Sequence, residues 1–166
     1  FPDFINIHQQ PHLIAGAGSA PFDQQGVSTK ALHYIQQGRL DNYVLGSYSA
    51  NKLGLTTTGN AGGVFNLQVD HGDKDLQALC RDIGEGLLVT ELLGQGVNLL
   101  NGDYSRGAAG FWVENGEIQF PVNELTIAGH LKDMYKGLVA VGTDVDARSK
   151  TSTGSWLIEE MTLAGD

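Results

Sequence analysis

Glycine sets the limits on what this chain can become. It occupies 23 of 166 positions, about twice the usual share of roughly 7%. The glycines follow no period and the chain has only 4 prolines, so neither a collagen helix nor a flexible linker fits. They fall instead between short runs of β-branched, aliphatic and aromatic residues. Glycine enters the φ > 0 region without steric cost, so this pattern reads as tight turns and bulges between antiparallel strands. With 41% hydrophobic and 17% charged residues the composition is globular. The length suffices for one domain and is short for two ordinary ones.

Alternation of apolar and polar residues marks strands at Phe4–His8 and Val64–Val69. Thr29–Gln36 and Leu40–Leu45 flank Gln37-Gly38-Arg39 as a hairpin, and Phe111–Glu114 and Glu117–Pro121 flank Asn115-Gly116. The Asn-Gly pair is the stronger signal, because a type I′ turn needs φ > 0 at both central residues. Further strands are expected at Leu87–Leu92, Leu125–Ala128 and Ser155–Ile158. Helical signals are fewer. Ser49–Leu53 spells one or two turns. Asp73–Ile83 puts Leu76, Leu79, Cys80 and Ile83 on one face, with Asp73 placed to cap it. Leu131–Leu138 carries the stripe Leu131, Met134, Tyr135 and Leu138. The expected fold is mainly β or α+β: antiparallel twisted sheets, or a barrel-like sandwich, with a few short helices.

Charge excludes one class of partner. Ten Lys+Arg against nineteen Asp+Glu leave a net charge of −9, and the cations are scattered, whereas a nucleic-acid surface clusters them to displace counterions. Direct nucleic-acid binding is therefore not expected. No apolar run approaches the ~18–20 residues of a membrane-spanning helix. The start, Phe1-Pro2-Asp3-Phe4, has neither an initiator Met nor the basic and apolar regions of a signal peptide. The lone Cys80 cannot form an internal disulfide, which suits a reducing compartment, and the cytoplasm is expected.

No complete catalytic set is visible. His8 and His12 are four apart, but Pro11 lies between them and denies them the helix on which such a pair would share a metal. Both read as surface or packing histidines. Asp70-His71-Gly72-Asp73-Lys74-Asp75 has the flavour of a calcium loop, yet it lacks the later glutamate and includes Lys74, so it reads as a solvated acidic turn leading into a helix cap. Ser47, Ser49, Ser105 and Ser155 sit outside any GxSxG elbow, and Cys80 on an apolar stripe reads as a buried, inert thiol. Glu85 and Glu91, six apart, say little alone. The glycine stretches Thr58–Gly63 and Gly84–Gly86 lack the endings of phosphate-binding loops. Gly102–Gly110 is the stretch with most to offer. Small residues there let a backbone come close to a partner or peptide, and Asp103, Tyr104 and Arg106 supply hydrogen bonds. A strained turn held by an Asp103–Arg106 pair reads equally well.

A longer series of motifs carries a resemblance. Leu87–Asn98 is followed by Gly102–Gly116, then by Pro121-Val122, Thr126-Ile127-Ala128-Gly129 and Val141-Gly142-Thr143-Asp144. Upstream stand Pro21–Gly26 and Ser47–Gly54. Together these resemble the C-terminal part of the PmbA (TldE) branch of the TldD/PmbA "modulator of DNA gyrase" peptidase family. The resemblance covers nearly the whole chain and implies an α/β domain upstream of Phe1. The TldD branch of that family is similar to a zinc peptidase, with an HExxxH helix and a late cysteine as ligands. In this chain the helix motif is absent, its place falling before Phe1 or not kept, and Thr153, within Lys150–Ser155, stands where the cysteine falls. A hydroxyl is a poor zinc ligand. The resemblance thus implies a subunit with no metal, no cofactor and no catalytic residue of its own. Its partner would be a TldD-like metallopeptidase, or a second copy of itself.

What such a complex handles, by the same resemblance, is unfolded peptide, including microcin precursors and an antitoxin, with gyrase affected only indirectly. An unfolded chain can add to a β-rich wall as a strand. The residues expected to contact peptide or partner are Asp103, Tyr104, Arg106, Gly107 and Gly110. Two alternatives stand beside this reading: an independent homodimeric hydrolase, and a purely structural interaction domain.

Overall fold

The computed structural model describes residues 1–146 and 148–165. In chain order its elements are β1 (Ile7–Gln9), β2 (Leu32–Gln36), β3 (Arg39–Leu40), α1 (Ser47–Leu53), β4 (Leu67–Val69), α2 (Leu76–Ile83) and β5 (Gly86–Leu93). They continue with β6 (Asp103–Glu114), β7 (Glu117–His130), α3 (Leu131–Lys136), β8 (Leu138–Val141), β9 (Thr151–Ser152), β10 (Trp156–Ile158) and β11 (Thr162–Ala164). The fold is α+β with strands dominating, as the glycine spacing implied. It packs as two compact units. A short-strand unit holds residues 3–71 and 145–154, and a hairpin unit holds Phe1–Pro2, Gly72–Asp144 and the chain from Ser155 onward.

The short-strand unit is built on one mixed sheet in the order β3-β2-β1-β4-β9, antiparallel except for β4 with β9. Its strands are shorter than alternation predicts, and buried polar side chains account for this. Asn66 sits at φ 45°, its amide donating to the Gln10 carbonyl (2.8 Å) and to Ser19 Oγ (2.7 Å), so β4 cannot begin before Leu67. The expected strand at Phe4–His8 is displaced to Ile7–Gln9, with a register shift against β2 at Ile7/His8. The β2–β3 hairpin turns at Gln37-Gly38, both at positive φ, but β3 ends at Leu40 rather than Leu45. Helix α1 starts two residues earlier than predicted and stops at Gly54, which takes the left-handed conformation at φ 65°.

The hairpin unit carries a four-stranded antiparallel sheet, β11-β7-β6-β5, and a two-stranded one, β10-β8. Asn115 (φ 53°) and Gly116 (φ 78°) form the expected turn. The hairpin they close is far longer than predicted, because β6 runs back to Asp103 and β7 forward to His130. Helix α2 presents the expected stripe, but Asp75 rather than Asp73 caps it, accepting the Ala78 N–H at 2.7 Å. The reason lies just upstream. Gly72 N–H donates to the Val141 carbonyl and the Lys74 carbonyl accepts from Thr143, which keeps residues 72–74 extended. Helix α3 ends at Lys136 before Gly137, and Leu138, predicted as its last stripe residue, is a buried member of β8.

Candidate functional site

All five sequence-predicted contact residues lie on β6 in the hairpin unit. The stretch Gly102–Gly110, expected to be a loop or a strained turn, is a strand from Asp103 on, paired with β7 throughout and with β5 from Gly107. The Asp103–Arg106 pair does not form. The two residues are three apart on a strand and so project to opposite faces. The Asp103 carboxylate accepts from Asn101 Nδ2 at 2.6 Å. The Arg106 guanidinium donates to the carbonyls of Leu92 (3.2 Å) and Gly94 (2.7 Å), tying down the end of β5. The glycines serve the sheet itself. A Cβ at Gly110 would stand 1.9 Å from the Leu88 carbonyl oxygen, and one at Gly107 3.2 Å from the Leu93 Cβ. The close backbone approach that these residues permit is that of β5.

Tyr104 is different, because it faces a hollow. Cross-strand pairs place Leu87 beside Trp112, Leu92 beside Ala108, Arg106 beside Ile127 and Ile127 beside Leu163, so one face of the four-stranded sheet is apolar apart from Arg106. Against it lies a cavity of about 960 Å³. Its far side is formed by Leu79 and Ile83 of α2, Met134 of α3, Val139 of β8 and Trp156 of β10. Protein interiors hold few voids larger than a water molecule, while small-molecule and peptide pockets run to about 300–1,000 Å³. A space of this size is a binding site in scale, not a packing defect. Both tryptophans of the chain, Trp112 and Trp156, line it. Sequence reading placed α2 and the Leu87–Leu92 strand but did not assign them to a site. The two lone tryptophans beside apolar runs were the available signal.

The mouth is acidic. Glu85, Glu159 and Glu160 stand there exposed, while the charge of Asp82 is matched by Lys74 at 2.6 Å. Inside, Cys80 is 3% exposed, and burial pushes its thiol above the ordinary range. The two histidines read as packing residues are each engaged, His8 Nε2 with Asp70 Oδ1 and His12 Nε2 with Thr29 Oγ1, both at 3.1 Å. Zinc needs three or more converging His, Cys or carboxylate donors. Among the described residues no such group converges. Thr153 directs its hydroxyl to the Gly154 carbonyl at 3.2 Å. The donors of this chain do not fit a zinc centre, and no chemical step is derived through one.

Comparison with known proteins follows this geometry. The PmbA/TldA metallopeptidase C-terminal domain matches residues 1–165. The chain belongs to that family. It is 52% identical to the metalloprotease PmbA of Escherichia coli O157:H7 over 164 residues, covering 99% of this chain and 36% of the relative. The chain therefore spans little more than a third of that protein's length. Among solved structures, a modulator of DNA gyrase from Bacteroides thetaiotaomicron superposes with a TM-score of 0.92 at 32% identity, over 99% of this chain and 37% of the other. TldE from Thermococcus kodakarensis superposes with a TM-score of 0.83 at 23% identity, over 99% and 40%, a likeness that speaks for the fold alone. The PmbA/TldA fold thus includes both the long β6–β7 hairpin and the sheet face that floors the cavity. Among the described residues of this family member no helix is long and apolar enough to cross a membrane.

Proposed function

We propose that this chain forms one wall of a peptide-cleaving chamber in the cytoplasm, as a subunit without a metal of its own beside a TldD-like metallopeptidase. In this reading an α/β domain upstream of Phe1 completes the subunit, which the greater length of the relatives supports. The substrates are unfolded peptides, microcin precursors and an antitoxin among them, and any effect on gyrase runs through those substrates. One observation carries the reading: the hollow of about 960 Å³ beside the sheet face that bears Tyr104. An apolar cleft on a wall of β-strands accommodates an extended chain and excludes a folded one. In this reading bond cleavage belongs to the partner.

The test is to co-express the full-length protein with a TldD-type partner and to follow cleavage of unfolded casein. Co-purification, with chelator-sensitive cleavage that needs both chains, is the expected result. Turnover by this protein alone, or a complex that cleaves equally well without it, defeats the proposal. A second reading, a homodimeric hydrolase in its own right, is favoured by the name metalloprotease that the E. coli relative carries. Chelator-resistant turnover by the purified homodimer supports that alternative.

A further inference from the structure

Among the described residues of the hairpin unit, the most exposed large apolar side chains stand on the turn between β5 and β6. Leu99 is 84% exposed and Leu100 is 100% exposed. Single exposed leucines are common on protein surfaces, but this turn is built to hold two of them out. Leu100 N–H donates to Asn98 Oδ1 (3.0 Å), Gly102 N–H to the Asn98 carbonyl (2.8 Å) and Asp103 N–H to Asn101 Oδ1 (3.0 Å). His130 Nδ1 accepts the Lys132 N–H at 3.1 Å, so its proton sits on Nε2 and is donated to the Asn101 carbonyl at 2.8 Å. Leu131 N–H donates to the Gly102 carbonyl at 2.8 Å. The polar groups of the turn are thus spent on its own backbone and on the junction of β7 with α3, while the two leucines face out. A turn fixed in this way loses little conformational entropy when it docks.

Position decides what covers the tip. The matching family model is that of a C-terminal domain, the chain spans 36% of its E. coli relative, and in the reading proposed above the remainder precedes Phe1. The Phe1 ring stacks on Tyr135 of α3, with centroids 4.7 Å apart. Tyr135 lies four residues beyond Leu131 and so on the same side of α3, and Leu131 is the residue bonded to Gly102 of the turn. Along the helix axis the two points are roughly 6 Å apart. A domain tethered at Phe1 meets Leu99 and Leu100 at an effective concentration on the order of millimolar. A second copy is a poorer occupant. The short-strand unit holds five acidic and five basic residues, so the whole net charge of −9 belongs to the hairpin unit. Two tips meeting head to head bring two such units together against their like charge.

We infer that the polypeptide upstream of Phe1 covers Leu99 and Leu100 in an apolar socket, so that this turn is a contact between the C-terminal domain and the rest of its own chain. The socket buries no charge against the turn, since Gly94–Gly102 carries none to pair with. The inference rests on the upstream domain of the reading proposed above and says where that domain is held.

The experiment uses the full-length protein without any partner. Leu100→Cys is labelled with N-ethylmaleimide, and mass spectrometry follows the peptide that carries residue 100, which keeps the readout apart from the buried Cys80. Labelling in native buffer is expected to run at least about fiftyfold slower than in concentrated urea, and equally slowly at every protein concentration. Leu99→Cys repeats the measurement if Leu100→Cys fails to fold. With p-benzoylphenylalanine in place of Leu100, irradiation is expected to give adducts within one chain to residues upstream of Phe1. Native labelling as fast as in urea overturns the inference. So does protection that is lost on dilution, which assigns the tip to a second copy, or protection that appears only when a TldD-type subunit is added. Adducts confined to residues after Phe1 overturn it as well. The measurement needs neither partner nor substrate, so it can fail while co-purification and joint cleavage succeed, and the reverse.

Discussion

The two units of the chain solve the problem of a glycine-rich sequence in opposite ways. The short-strand unit is held by buried polar groups. Gln9, fully buried, accepts at one oxygen from Tyr34 OH (2.7 Å), Asn60 Nδ2 (2.9 Å) and the Phe65 N–H (3.2 Å), and donates to the Lys30 carbonyl. Burial pushes the Tyr34 phenol up to about 12, so it remains a donor. The Asp23 carboxylate accepts three backbone N–H groups, from Gln25, Val27 and Ala61. The hairpin unit instead has long strands and an apolar interior that is left hollow. Loops pinned by a buried polar network are specified and closed, whereas the long-stranded sheet borders an open apolar cleft of about 960 Å³. The two units thus differ in construction, one built on buried polar groups and the other on long strands.

Substitutions test that division, the largest effect coming where a strand must approach another. Gly110→Val puts a side chain into the space held by the Leu88 carbonyl oxygen, 1.9 Å from the new Cβ. Backbone cannot yield there as a flexible side chain would, and a loss of more than about 3 kcal/mol is expected. Urea unfolding followed through Trp112 and Trp156, both in the hairpin unit, measures it. A variant as stable as the parent would show that β5 is not locked to β6 as described. Gln9→Leu should come next. It leaves Tyr34 OH, the Asn60 amide and the Phe65 N–H without their shared acceptor, at a cost of about 3 kcal/mol in the short-strand unit. Calorimetry that finds less than about 1 kcal/mol would remove the case for a polar-built unit.

How far the sequence disclosed this division is instructive. Both hairpin turns were legible, since Gln37-Gly38 and Asn115-Gly116 need φ > 0 and the sequence says so locally. The stripe of α2 was legible for the same reason. The strand Asp103–Gly110 was not, because Gly107, Ala108, Ala109 and Gly110 lack the β-branched and aromatic side chains that mark strands. Gly107 and Gly110 are small because the neighbouring strand β5 runs closely beside them, a tertiary fact with no local signature. Of the candidate site, Tyr104 was singled out in sequence as a peptide or partner contact, and the structure places it on the sheet face beside the cavity. The far wall comes from α2, α3, β8 and β10, segments up to 82 positions apart in sequence from Leu76 to Ile158, and no periodicity reports such convergence. The polar network around Gln9 was equally hidden, since a lone glutamine in an alternating strand reads as solvent-facing.

Acid sharpens the contrast further. Burial alone would raise the Asp23 carboxyl, but the N–H groups of Ala61, Val27 and Gln25 hold it below the ordinary carboxylate value. A carboxyl with a depressed folded value contributes stability that is present above its unfolded value, about 3.9, and lost as the pH falls through the folded one. Melting temperatures of the parent chain should therefore drop more than those of Asp23→Asn between about pH 5 and pH 2. Parallel curves for the two would mean that the amides do not stabilise the ionised form.

The smallest effect is the most telling one. In a packed core, adding methylenes forces strained rotamers and costs about 1–3 kcal/mol. Val89 stands on β5 facing a space of about 960 Å³, so Val89→Phe has room for the larger ring without displacing a neighbour. Phenylalanine also suits a strand as well as valine does. The stability of the chain should then change by less than about 1 kcal/mol in either direction, read by urea unfolding. If Val89→Phe destabilises as it would in a filled core, the space has closed in solution and the unit is packed like any other; unchanged stability shows that the space exists.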